Sequence, residues 1–297
     1  MAFSKDMSTS LTGRYATPER TKTGAKETAS PAPVSPHLFN RFEIKYLVAE
    51  EDIPRLRDSL TQRLDFDPLS PEGGYRVESL YFDSPDLRFY YEKIEGLKFR
   101  RKLRIRRYGD GVATADSQVS VEIKQRVNKV TQKRRLNLGF ADAMALCDAS
   151  GESVGYQALP EDLIPKLPER DHALVNEISA FVVNNRLRPI ATTTYKREAF
   201  AGKDAESGAR VTIDHGVSGR DRDFLLGDPD AENRPTVDQR FAVVEIKADE
   251  RVPFWLTDLT AHHGMSVIRM SKYCNSVEAF HLRPASAIGS VDPIHFA

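Results

Sequence analysis

The run Lys98-Phe99-Arg100-Arg101-Lys102-Leu103-Arg104-Ile105-Arg106-Arg107 decides how the rest of the chain is read. Every even position carries a cation, whereas the odd positions mix Phe99, Leu103 and Ile105 with Arg101 and Arg107. A β-strand sends alternate side chains to opposite faces, so this segment reads as a strand with a ladder of positive charge on one face. Such a ladder repels itself unless water, carboxylates or an anionic ligand stands opposite. Water is enough for one strand in isolation. The same pattern recurs elsewhere, and the recurrence points beyond a wet surface.

In Arg41-Phe42-Glu43-Ile44-Lys45-Tyr46-Leu47, Arg41, Glu43 and Lys45 share one face and Phe42, Ile44 and Tyr46 the other. Val119, Val121 and Ile123 alternate with Glu122, Lys124 and Arg126, and Lys133 to Leu138 returns after a turn near Asn128. Tyr75 to Asp83, Thr192 to Phe200, Arg210 to Asp214 and Phe241 to Lys247 complete the set of strands. Between them lie helical patterns. Ile53, Leu56, Leu60 and Leu64 recur at helical spacing within Glu50 to Leu64. Ser84-Pro85-Asp86 predicts a short helix running to about Ile94. Further helices are expected at Ala141–Cys147, at Leu174–Val183, from Phe254, and from an N-cap at Ser271. The polar stretch from Asp221 to Asp238 reads as a loop or hairpin tip.

The totals narrow the function classes. The chain has 297 residues, with 43 basic and 43 acidic side chains, so bulk charge does not drive it onto nucleic acid or an anionic membrane. Its cationic faces also lack the interleaved aromatic residues expected of a nucleic-acid binder. Two cysteines, Cys147 and Cys274, make neither a disulfide framework nor a metal cluster. No apolar run approaches the roughly 20 residues of a membrane span, and no signal-peptide core opens the chain. A cytoplasmic location is the resulting expectation. Residues 1–37, rich in Ser, Thr, Ala, Lys and Pro, read as a disordered tail; residues 38–285 form the expected domain and residues 286–297 a second tail.

An α+β fold follows, with an antiparallel sheet and helices packed on it. The strands carry more Arg and Lys than ordinary wet faces, and the helices need apolar strand faces to cover. With helices outside, the charged faces point inward, as in a barrel with a charged interior. Cations in excess with a few carboxylates suit a polyanion together with a divalent metal, and phosphate chains suit Arg forks and Lys point charges.

In chain order stand Glu43-Ile44-Lys45, Lys102-Leu103-Arg104-Ile105-Arg106, Val121-Glu122-Ile123-Lys124, Tyr195-Lys196-Arg197, Arg210 to Asp214, Val244-Glu245-Ile246-Lys247 and Ser271-Lys272-Tyr273. This ordered set resembles the triphosphate tunnel metalloenzymes, and within them the polyphosphate polymerase domain of the vacuolar transporter chaperone family. The resemblance runs from about Phe39 to Phe280. It implies an antiparallel eight-stranded β-barrel that transfers the terminal phosphoryl group of ATP to inorganic polyphosphate. Carried over by position, Arg104, Arg106, Arg197 and Arg210 would spread charge over the transferred group, and Lys45, Lys124, Lys133 and Lys272 would hold the other phosphates. Lys129 or Arg135 could take the place of Lys133.

Glu245 would hold Mn²⁺ or Mg²⁺, with Glu43 a second candidate. Glu43 and Glu122 remain open between metal ligand and salt-bridge partner. The wider superfamily has two glutamates before its lysine, and Arg41 here stands at the first of those positions, which favours the polymerase branch. The eukaryotic polymerases also carry a membrane segment and an N-terminal phosphate-sensing domain; this sequence is expected to act without either. An inorganic or nucleoside triphosphatase, a nucleotidyl cyclase and a non-catalytic polyphosphate-binding module are the alternatives in the same tunnel. Oligomeric state is left open.

Overall fold

The computed structural model describes residues 41–67, 70, 73–128, 130–151, 160–202, 208–249 and 251–280. Both expected tails, and Lys129, lie outside the described residues. The elements in order are β1 (Arg41–Ala49), α1 (Ile53–Thr61), β2 (Leu64–Phe66), β3 (Tyr75–Asp83), α2 (Arg88–Ile94), β4 (Phe99–Tyr108), β5 (Gln118–Val127), β6 (Val130–Gly139), α3 (Phe140–Cys147), α4 (Pro160–Leu163), α5 (Glu169–Asn185), β7 (Arg188–Gly202), β8 (Arg210–Gly219), β9 (Arg234–Pro235), β10 (Phe241–Asp249), α6 (Phe254–His262), β11 (Ser266–Ile268) and α7 (Lys272–Ala279). No helix among the described residues is long and apolar enough to cross a membrane.

The strands pair antiparallel in the order β11-β1-β10-β8-β7-β3-β4-β5-β6, with β2 added to β7 and β9 to β8. The expected closed eight-stranded barrel is therefore corrected to an open, curled sheet of eleven strands, whose edges are β11 and β6. The three residues of β11 ladder on Lys45, Tyr46 and Leu47 of β1, and among the described residues no backbone pairing joins the other side of β11 to β6. A side-chain bridge spans the seam instead, from Lys124 Nζ on β5 to Glu43 on β1 at 3.3 Å.

Alternation along the strands places the helices outside. Leu103 and Ile105 of β4, Val121 and Ile123 of β5 and Leu136 of β6 bury against Met144 of α3 and Ile178 and Phe181 of α5. A second outer core joins Val211, Ile213, Val244 and Ile246 to Ile53, Leu56 and Leu60 of α1 and Leu256 of α6. Fully burying one such aliphatic side chain contributes about 1.5–3 kcal/mol, so the outer faces hold the curl while the inner face is left to charge.

Helix boundaries differ from the sequence reading at α5, which begins at Glu169 rather than Leu174, and at α1 and α2. The pattern over Glu50 to Leu64 divides, because α1 ends at Thr61 and Leu64 opens β2 while still filling the same core. The helix expected at Ser84 begins at Arg88. Its start is organised by Asp83, whose carboxylate accepts the backbone N–H groups of Ser84 (2.7 Å), Phe89 (2.9 Å) and Tyr90 (3.0 Å) and the hydroxyl of Tyr273. With the Ser84 hydroxyl at 3.3 Å, five donors on one buried carboxylate lock β3, α2 and α7 together. At α7 the expected cap is present: Ser271 Oγ accepts the Cys274 N–H.

Candidate functional site

The even positions of β4 do face a cavity. Arg100, Lys102, Arg104 and Arg106 line a space of about 770 Å³ on the concave side of the sheet. Strand β1 adds Glu43 and Lys45, β5 adds Lys124 and Arg126, β7 adds Tyr195 and Arg197, and β10 adds Glu245 and Lys247. Tyr81 enters from β3 and Lys272 from the first turn of α7.

Register explains the ion pairs inside. Arg104 lies opposite Glu122 and donates to its Oε2 from Nε (2.8 Å) and Nη2 (2.6 Å). Glu122, 1% exposed, also takes Lys133 at 2.7 Å and Arg135 at 2.8 Å. Burial pushes the Glu122 carboxyl up, but Arg104, Arg106 and Lys133 hold it well below the usual carboxylate range. With three cations already on it, Glu122 is a salt-bridge hub, and the surplus positive charge faces the cavity. On the other flank Arg197 grips Asp214 through two bonds, at 2.6 and 2.8 Å, and Lys272 reaches the same carboxylate at 2.6 Å. Burial raises Asp214, yet Arg197 and Lys272 bring it down to about 2.

Glu245 sits between Lys247 at 2.5 Å and Lys45 at 3.8 Å, while Glu43 lies 3.2 Å from Lys45. Burial opposes ionisation of both; Lys247 and Lys45 hold Glu245 well below its ordinary value, and Lys124, Lys45 and Lys247 lower Glu43 despite the nearby Glu245. Two ionised carboxylates thus share one lysine inside the cavity. Among the described residues no three His, Cys, Asp or Glu side chains converge as a metal cage. A hard divalent ion that takes one or two carboxylates, and completes its shell with phosphate oxygens and water, fits this donor set.

Eight of the ten residues singled out by sequence line this one cavity: Glu43, Lys45, Arg104, Arg106, Lys124, Arg197, Glu245 and Lys272. Arg210 and Lys133 do not line it. Arg210 stands opposite Lys247 in register but turns to Asp67 at 2.7 Å, and Lys133 is drawn to Glu122. The structure adds residues that the sequence reading left without a role. Arg126 and Lys247 shared the parity of Lys124 and Glu245, so a signal was present. Lys93 reaches the wall from α2, and nothing in its own helix marks it. Tyr81 Oη accepts from Arg104 Nη1 at 3.1 Å. Burial raises this phenol, but Arg104, Arg106 and Lys102 outweigh that and bring it to about 8. An apolar cluster containing Val77, Val217 and Val243 abuts the cavity at Tyr195 and Met270.

A candidate adenylate cyclase from Bacillus halodurans, of known crystal structure, overlaps 80% of this chain and 95% of its own at 16% identity and a TM-score of 0.43, a likeness too distant to carry an argument. Two curated relatives are each described as vacuolar transporter chaperone complex subunit 4, one from Trypanosoma cruzi (strain CL Brener) and one from Trypanosoma brucei brucei (strain 927/4 GUTat10.1). They are 24% identical to this chain over 285 and 282 residues. Each alignment covers 84% of this chain and 35% of the relative, so the chain spans about a third of the length of these relatives. The VTC domain profile matches residues 40–281, the whole of the sheet and its helices. The chain belongs to the VTC domain family.

Proposed function

We propose that the chain is a metal-dependent polyphosphate polymerase, moving the γ-phosphoryl group of ATP onto the end of a polyphosphate chain and releasing ADP. The observation that carries this reading is the convergence of six of the predicted cations and both predicted carboxylates on one cavity. A terminal phosphate oxygen of the chain attacks the γ-phosphorus, one P–O bond forms as the bridge to ADP breaks, and the chain lengthens by one phosphate. Phosphoryl transfer asks the protein mainly for positioning and charge. Arg104, Arg106 and Arg197 are already fixed, by Glu122, by Ser79 and Tyr195, and by Asp214 respectively. Fixed cations stabilise the transition state without reorganising. Lys45, Lys124 and Lys272 would neutralise the phosphates that do not react.

Glu245 and Glu43 would hold Mn²⁺ or Mg²⁺, and a bound ion there supplies charge neutralisation of the phosphate oxygens. Arg210 and Lys133 contribute phosphate contacts only if their pairs with Asp67 and Glu122 open. The test is incubation of the protein with ATP and Mn²⁺, scoring long-chain polyphosphate and free phosphate separately, beside Glu245→Ala. Long chains that disappear in the variant support the polymerase and the metal role together. Hydrolysis of short triphosphates in the same cavity is the second reading. Free phosphate without chains is the result that would select it.

A further inference from the structure

Most cations on the cavity wall arrive with a carboxylate: Arg104 with Glu122, Arg197 and Lys272 with Asp214, Lys45 and Lys124 with Glu43, Lys247 with Glu245. A phosphate that binds those groups competes with a carboxylate already in place. Arg106, held by Ser79 and Tyr195, and Lys102 are different, and of the two only Lys102 is half-buried. Its Nζ lies 2.9 Å from Ser271 Oγ, 3.8 Å from Cys274 Sγ and 4.8 Å from the centre of the Tyr273 ring, with no carboxylate in ion-pair range among the described residues. Burial, with Lys124 and Lys45 nearby, pushes this ammonium below its ordinary value. Lys102 is half-buried, and a partly desolvated charge without a counter-charge costs the fold.

Tyr81 presents the same imbalance. Its oxygen accepts from Arg104, and among the described residues its O–H has no acceptor, although the side chain is only 7% exposed. Both groups rest on one platform: the Tyr273 ring is 5.1 Å from the Tyr81 ring and lies under Lys102, and its hydroxyl is fixed on Asp83. The cluster therefore offers donors and a positive charge and no competing anion. Packing of Lys102 on Tyr273 accounts for the position of the ammonium, but it leaves the unused donors unexplained.

We infer that Lys102 and Tyr81, seated on Tyr273, form a phosphate subsite in the cavity that needs neither a metal ion nor the opening of an ion pair. The inference rests on the polyanion-binding reading above, and it names the residues that take the first phosphate. It also carries a pH signature. Tyr81 is faced by Lys102, Arg104 and Arg106 from β4, by Lys45 from β1 and by Tyr273 from α7, while Tyr195 of β7 lies beyond Arg106. As the phenol ionises near pH 8 it stops donating and sets a negative oxygen against the phosphate. Affinity for phosphate then falls as pH rises through that value.

The probe is inorganic tripolyphosphate, titrated calorimetrically into the full chain in EDTA at pH values on either side of the Tyr81 ionisation, with a parallel series in Mn²⁺. Lys102→Met is expected to bind about 10- to 100-fold more weakly in EDTA, the range of a hydrogen bond to a charged group. Without ligand it is expected to melt at or above the wild type, because an unpaired, partly desolvated charge has gone. Tyr81→Phe should bind more weakly below pH 8 and lose the alkaline fall. Unchanged affinity in Lys102→Met, or a lowered melting temperature with affinity intact, overturns the subsite. Wild-type binding only in Mn²⁺ also overturns it while leaving the polyanion reading in place. Absence of binding under both conditions overturns the two together.

Discussion

Replacing Asp214 by Asn removes one charge and almost no volume from the most enclosed part of the site. The Asp214 side chain is fully buried, with Arg197 Nε at 2.6 Å and Lys272 Nζ at 2.6 Å. The drop of its pKa from 3.8 to about 2 corresponds to about 2 kcal/mol in favour of the ionised form in the fold. Removing one member of a buried ion pair costs about 3–5 kcal/mol, since the partner charges stay behind. Together these place the loss at about 2–5 kcal/mol, against a typical total of about 5–15 kcal/mol, and lower Tm by roughly 5–15 °C.

The same change frees two cations that face the cavity. Tripolyphosphate, acting by mass action on the folded state, is therefore expected to raise the Tm of Asp214→Asn more than that of the wild type. Thermal melts with and without tripolyphosphate, supported by urea unfolding, read both effects. The folded value lies below the unfolded one, so the wild-type advantage is complete above the usual carboxylate range and shrinks as pH falls towards 2. An Asn variant that melts with the wild type, or gains no more from tripolyphosphate, refutes the account of Asp214 as the counter-charge of Arg197 and Lys272.

Three further outcomes are expected. Glu245→Gln should lose most of the Mn²⁺-dependent gain in tripolyphosphate affinity seen in the wild type; an equal gain in both would move the ion elsewhere. His215 lies between Glu50 (2.8 Å) and Glu198 (3.1 Å), and although burial lowers its pKa, those carboxylates raise it above the ordinary imidazole value. Its stabilisation is full below that ordinary value and is lost as pH rises through the raised one, so urea midpoints should fall over that interval and His215→Gln should flatten the change. Gly227 has φ +77°, and a Cβ there would lie 1.8 Å from the Gly111 carbonyl oxygen. Gly227→Ala is expected to cost more than about 1 kcal/mol, read as a lower Tm; an unaltered melt would refute the close approach of these two loops.

Much of the architecture was legible because strand periodicity is local. Parity alone assigned Arg104 and Arg106 to the inside and Leu103 and Ile105 to the outside, and β3 spans the predicted Tyr75–Asp83. Closure was not legible. It depends on whether β6 and β11 can pair, and β11 is held as a strand by its three-residue ladder with Lys45, Tyr46 and Leu47 of β1. The start of α2 was misplaced for a related reason: Ser84-Pro85 has the composition of a cap, but the capping carboxylate is Asp83, anchored from far along the chain by Tyr273.

The site divides in the same way. Sequence by itself determined which residues share a face, hence the cationic wall and the two carboxylates among it, because side-chain direction in a strand repeats every second residue. Only the tertiary structure decided what each charge does. Glu122 became a hub because three cations from two neighbouring strands reach it; Arg210 left the wall for Asp67; Lys102 was left with no counter-charge among the described residues. Ion pairing acts over a few ångströms between strands far apart in sequence, and periodicity along one strand carries no record of it.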